Sequence, residues 1–254
     1  MLALGILAGA LALPAGSVQA ERIVSTLSNT NVEITSAFSG ERLTLFGNIE
    51  PDVGAPESTV TGPYNVIIVI TGPLTDRVAR LKTRQFGVWL NTQQVTFKSF
   101  PTYFHVLSSG KLEGITDVAT LNVEGILPEA QAQNSAPADD WWNGSVFGHE
   151  LVRLMTEKGF FGVDTEGVSF LSNTAYSAQV ILPHDIANGP FIAQTYLFKD
   201  GKLLARRSEG FSVRKIGFER FVGTAASQTP LLYGLVCVVL AVFTGWLGGV
   251  VFKR

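Results

Sequence analysis

The chain has 254 residues, 46% of them hydrophobic and 16% charged, with a formal net charge of −2. That charged share is well below the roughly one quarter of an ordinary soluble domain, and the near-neutral balance gives no argument for nucleic acid as a partner. The single cysteine, Cys237, excludes an intrachain disulfide and any zinc site built on paired cysteines.

Residues 1–20 read as a secretory signal. Leu2 to Leu13 is apolar, Pro14 and Gly16 break the run, and "SVQA" supplies small residues at Val18 and Ala20. Cleavage after Ala20 leaves Glu21 as the mature N-terminus. No Lys or Arg precedes the apolar part, so either the true start lies upstream of Met1 or the signal is atypical. The alternative is an uncleaved anchor, although the stretch before Pro14 is short of the roughly 20 residues a span needs.

Short alternating segments follow. "NVEITSAF" puts Val32, Ile34 and Ser36 on one side, and "RLTLFGNI" alternates Leu43, Leu45 and Gly47. "YNVIIVITG" is a nearly continuous β-branched run, which suits a central strand buried on both faces. "VARLKTRQFGVWLN" alternates through Arg80, Lys82 and Arg84 and changes parity around Gly87, which marks a bulge or a break. Phe86 and Trp89 are expected in the core, as aromatics usually are. "YFHVLSS" comes next.

"LPEAQAQNSAPADDWWNG" reads as a polar connector and "SVFGHELVRLMTEKG" as a helix. Phe147, Leu151, Leu154 and Met155 share its apolar face. Asn143 or Ser145 caps its start, Gly159 ends it, and Trp141 and Trp142 staple against the first turn. Glu150–Arg153 and Arg153–Glu157 are expected as surface pairs. Three strands follow: "AYSAQVILP", "PFIAQTYLFKDG" and "KLLARRSEGFSV". The last two form a hairpin turning at "KDGK".

Many short strands with Gly and Pro turns predict a mainly β protein. We expect an immunoglobulin-like β-sandwich over residues 21–216, with a helical insertion around 143–159. Two small sandwiches are the alternative. Residues 217–230 form a juxtamembrane segment, with Phe218, Phe221 and Val222 on a short helix. Leu231–Phe252 carries no charged residue and is long enough to cross a bilayer as a helix, leaving Lys253 and Arg254 as a cytoplasmic tail. With a translocated N-terminus, this predicts a single-pass protein of the bacterial inner membrane with its domain in the periplasm. Within the span Cys237, Ala241, Gly245 and Gly249 recur every four residues, a small-residue face suited to helix pairing.

Taken together, "VEITSAFSGERLTLFG", "LKTRQFGVWLN", "FPTYFHVLSS", "SAQVILPHDIANGPF" and the terminal "LYG…GW" resemble a family of predicted single-pass transmembrane proteins from alphaproteobacteria with no assigned function. The likeness spans the mature chain and rests on the order of the pieces. It implies an envelope protein and supplies no catalytic residues. It also implies genetic neighbours that encode exporters of small sulfur-containing anions.

The chemistry is sparse. "HELVR" begins like a zinc-protease helix, but Arg153 stands where the second histidine ligand is needed. No nucleophile elbow, P-loop or dinucleotide fingerprint is present. We therefore expect no catalytic residue, no metal and no cofactor. Arg80, Lys82 and Arg84 read first as a solvated strand face or a charge-protected sheet edge, and second as a row for anions or lipid headgroups.

The expected function is that of a membrane-anchored periplasmic binding or scaffolding protein. Its partners are the lipid bilayer and either another membrane protein, such as a small-anion exporter, or a second copy paired through the span. A periplasmic solute or metal sensor and an uncharacterised envelope enzyme are the alternatives.

Overall fold

The computed structural model describes residues 21–34, 40–52, 60–216 and 218–251. The signal segment, Ser36 and the two-residue tail lie outside them. Twelve strands and six α-helices follow one another in the described chain.

Four strands form one antiparallel sheet: β1 (Glu21–Leu27), β3 (Glu41–Pro51), β10 (Ala175–Leu182) and β9 (Val168–Phe170), in that order. A six-stranded sheet packs against it. Its order is β2 (Asn31–Ile34), β12 (Lys202–Lys215), β11 (Gly189–Lys199), β4 (Asn65–Thr71), β7 (Phe104–Ser108) and β8 (Phe161–Asp164). The late strands complete sheets begun by early ones, since β10 pairs with β3 and β11 with β4. Asp200 and Gly201, both at positive φ, make the β11–β12 turn.

Strand β4 shows how the layers share a core. Val66, Ile68 and Ile70 point into the space between the sheets, where they meet Leu43, Leu45, Phe191 and Val213. Ile67 and Val69 point the other way, into a second apolar layer with Phe97, Phe104, Leu121 and Met155. A strand covered on both faces has no use for polar residues, which accounts for the unbroken "VIIVI". Within the four-stranded sheet, the Tyr176 ring of β10 lies over its register partner Gly47 of β3, and a Cβ there would overlap the ring.

Strand β1 was not marked by sequence pattern, yet it pairs with β3 from Glu21↔Pro51 to Leu27↔Leu45. Glu21 accepts a hydrogen bond from the Tyr64 hydroxyl at 2.9 Å and lies 3.3 Å from Lys199 Nζ. The first described residue is thus fastened to the six-stranded sheet.

The second apolar layer is covered by helices. The helical part begins well before residue 143, with α1 (Leu112–Ile115), α2 (Val118–Val123) and α3 (Pro128–Ser135) preceding α4 (Trp141–Glu157). The stretch read as a connector therefore contains α3, with Pro128 in its first turn, where a missing N–H costs nothing. These helices bridge β7 and β8, which run parallel. Parallel neighbours need a long crossover, and the helices supply it.

Helix α4 begins at Trp141, so Asn143 is inside it and donates to the Asp140 carboxylate instead of capping. Its buried side is Gly144, Gly148, Val152 and Met155, with Phe147 and Leu151 half-buried. Leu154 is 45% exposed, a correction to the expected face. The reason is α3. A Cβ on Gly144 would lie 3.0 Å from Ala136 Cβ, and one on Gly148 3.1 Å from Ala132 Cβ. The glycines let α3 approach closely, which turns α4 toward them. Trp142 stands inside the first turn of α4, not ahead of it as expected, and is exposed, and the Trp141 side chain lies outside the described residues. Gly159, at φ +74°, ends the helix as expected. Arg153 pairs with Glu150 and with Glu157.

Candidate functional site: a projecting hairpin and an apolar span

Two strands belong to neither main sheet. β5 (Leu74–Gln85) and β6 (Val88–Pro101) pair only with each other. At about 3.4 Å per residue, β5 is roughly 40 Å long. Its base is seated on the body: Val95, Phe97 and Phe100 are buried in the helical layer, with Ala79 packed against it. Phe97 stacks edge-on with Phe100 and sits beside Gly148 of α4. Near the base, the Asp76 carboxylate accepts the Ser99 N–H at 3.0 Å, beside a register shift between Thr75 and Arg77.

Beyond Ala79 and Val95 the hairpin is uncovered. The turn is the two-residue loop Phe86-Gly87, with φ of +50° and +84°. Positive φ at both central positions matches the twist of the strands, and Asn-Gly is the favoured pair there. Phenylalanine is a poor choice, because a bulky L-residue is strained in the left-handed region. Phe86 is also fully exposed, at 104%. Trp89 is 66% exposed, and Val88, Leu90 and Leu81 are also exposed. The core placement expected for Phe86 and Trp89 is thus wrong. Residue type points inward, but these two lie where the hairpin has outrun the body that would cover them.

Register divides the projecting part into two faces. Arg84 faces Trp89, Lys82 faces Asn91 and Arg80 faces Gln94. The expected basic row exists, on one face of the hairpin. The other face carries Val88, Leu90 and Leu81, continuous with the buried Val95 and Phe97 below. None of Arg77, Arg80, Lys82 and Arg84 has a carboxylate partner among the described residues. The sequence carries no Asp or Glu from Arg77 through Leu112. That gap was readable beforehand and marks the hairpin better than the cations alone.

The chain continues through α5 (Phe218–Gln228), a helix where a short one was expected, into α6 (Pro230–Val251). Helix α6 has 22 residues, starts one residue before the expected boundary, and is strongly apolar with none of its most apolar stretch buried. Its Thr244 hydroxyl donates to the Leu240 carbonyl at 2.8 Å, so the polar group is satisfied within the helix, as hydrocarbon surroundings require. Cys237 is exposed. A Cβ added at Gly245 or Gly249 would meet no atom within 4 Å, so the small-residue side is uncovered.

The family model described as "Putative transmembrane protein (Alph_Pro_TM)" matches residues 22–254. The chain belongs to this family. The match runs from β1 through the hairpin, the helical layer and α6, and so covers domain and span as one unit. No curated protein matches the chain.

Elsewhere, a histidine is partly buried in the six-stranded sheet. His105 on β7 stacks on Tyr103 at 5.9 Å between ring centroids and packs against Gly162. Burial holds its pKa below the ordinary value, while the nearby Asp164 carboxylate pulls the other way. Its Nδ1 is buried with no hydrogen-bond partner. No group of three or more His, Cys, Asp or Glu side chains converges among the described residues.

Proposed function

We propose that the protein is a membrane-anchored binding and scaffolding protein of the cell envelope, acting with another envelope protein. One observation carries the reading. A body with a double-sided core bears two outward contact elements, a hairpin and an uncovered apolar helix. Recognition groups displayed on a convex finger suit contact with a large surface, whereas small-molecule sites are concave.

In this reading α6 crosses the inner membrane and the β-rich domain stands in the periplasm, delivered there by a signal ending at Ala20. Glu21 is fastened by Tyr64 and Lys199, so a chain cleaved after Ala20 keeps its first residue tied to the domain. The uncovered side of α6 at Ala241, Gly245 and Gly249 is where a neighbouring membrane helix approaches. An exporter of small sulfur-containing anions is one partner of this kind, on the family resemblance alone.

The test is photo-crosslinking in native membranes from a reactive residue at position 241. The proposal expects one discrete adduct with another membrane protein, lost in the Gly245→Leu, Gly249→Leu chain. Adducts with lipid only, unchanged by those substitutions, would overturn it.

A further inference from the structure

We propose that the β5–β6 finger is a second membrane contact. Phe86, Val88 and Trp89 enter the headgroup layer of an anionic bilayer, while Arg80, Lys82 and Arg84 lie on lipid phosphates. This rests on the reading of α6 as a tether, which keeps a bilayer within constant reach of the domain.

Four observations carry it. The first is Phe86, which neither the turn nor the core asks for: its backbone is left-handed and its side chain is wholly exposed. A residue that is unfavourable locally and unburied serves something outside the chain. The second is the order of groups along the finger. Apolar and aromatic residues occupy the tip, and Arg84, Lys82 and Arg80 stand successively farther back. At about 3.4 Å per residue the row extends roughly 20 Å behind the turn. A bilayer presents the same order to an entering finger: phosphates outside, and inside them the interfacial zone that Trp favours.

The third is charge. The hairpin carries five cations and one carboxylate, Asp76, and that carboxylate is held at the base by Ser99. A surface of lipid phosphate attracts the row and meets no opposing charge along it. The fourth weighs against the simpler account, protection of a free hairpin edge by cations. Edge protection explains Arg80, Lys82 and Arg84, but it would place polar residues at Phe86, Val88, Trp89 and Leu90 as well. A protein partner fits less well, because aromatic anchors in protein interfaces are enclosed on the partner's side by a matched pocket, whereas this tip is convex, with the Phe86 ring fully exposed at its end.

The test uses the full chain carrying Cys237→Ser and Phe86→Cys, labelled at the tip with an environment-sensitive fluorophore. It is reconstituted into phosphatidylcholine vesicles with about one third phosphatidylglycerol, or with none. The expected result is a blue shift, with quenching by lipid-borne quenchers, in the anionic vesicles. Both are lost in the Arg80→Gln, Lys82→Gln, Arg84→Gln chain. A label at Leu171→Cys, exposed on the body, shows neither. Three cations removed from an anionic surface correspond to a loss on the order of 100-fold in the contact equilibrium. No shift in anionic vesicles overturns the proposal, as does a shift indifferent to lipid charge. A shift that appears only when solubilised envelope proteins are added overturns it in favour of a protein site. Flotation of the chain with vesicles reads α6 separately. It stays intact in every finger variant, and its loss in the unmutated chain would overturn the tether and this inference with it.

Discussion

Phe86 and Phe97 lie on the same hairpin, eleven positions apart in the sequence, and substitution should move stability in opposite directions. Phe86 is at φ +50° and 104% exposed, whereas Phe97 is 0% exposed beneath α4. The left-handed conformation costs an ordinary L-residue about 1–2 kcal/mol, and asparagine avoids part of that. Phe86→Asn creates an Asn-Gly turn and removes no buried contact, so a gain of about 0.5–1 kcal/mol is expected. For a domain of this size that is a Tm rise of about 1–4 °C. Phe97→Ala removes a fully buried ring and should cost about 3–5 kcal/mol, a fall of about 6–20 °C. Thermal unfolding of the full chain in detergent, followed by near-ultraviolet dichroism, measures both. A clear fall in Tm for Phe86→Asn would mean that the tip packs on the chain itself, and the projecting finger would be refuted.

Three further outcomes follow from the body. Gly148→Leu places side-chain atoms where even a Cβ lies 3.1 Å from Ala132 and 3.5 Å from the Phe97 ring; it should cost about 1–3 kcal/mol in urea unfolding and loosen the hairpin base. Arg153→Ala breaks two ion pairs but both are exposed, so a loss below about 1 kcal/mol is expected from the same measurement. His105 gives a pH dependence. Its folded pKa lies below the ordinary value because burial disfavours the cation, so the unfolded chain takes up the proton first as pH falls. Stability is therefore full above about pH 6.5 and declines below it, by at most about 1.4 kcal/mol per pH unit. His105→Gln should flatten that decline, and Asp164→Asn should steepen it by removing the charge that favours the cation.

Much of the architecture was legible in local pattern. The β-branched run of β4, the Asp-Gly turn between β11 and β12, and the uncharged length of α6 each follow from a rule that acts over a few residues. Helices α1 to α3 were not legible, because two of them span only four and six residues and helices that short are held by tertiary packing. The face of α4 was misjudged at Leu154 because two glycines, not larger apolar residues, form the contact with α3. The finger was half legible. The basic row was visible as alternation, but the exposure of Phe86 and Trp89 depends on how far the body extends beside the hairpin, which no local pattern encodes. The parity change at Gly87, read as a bulge or break, falls at the finger's turn, and the long gap without a carboxylate is a second signal that the sequence carries there.

The proposed topology holds the β-rich domain outside the cytoplasm through α6. Labelling with a membrane-impermeant maleimide tests this in intact spheroplasts that express the Cys237→Ser, Leu171→Cys chain. Modification at position 171 without lysis is the predicted result; modification only after lysis would contradict it.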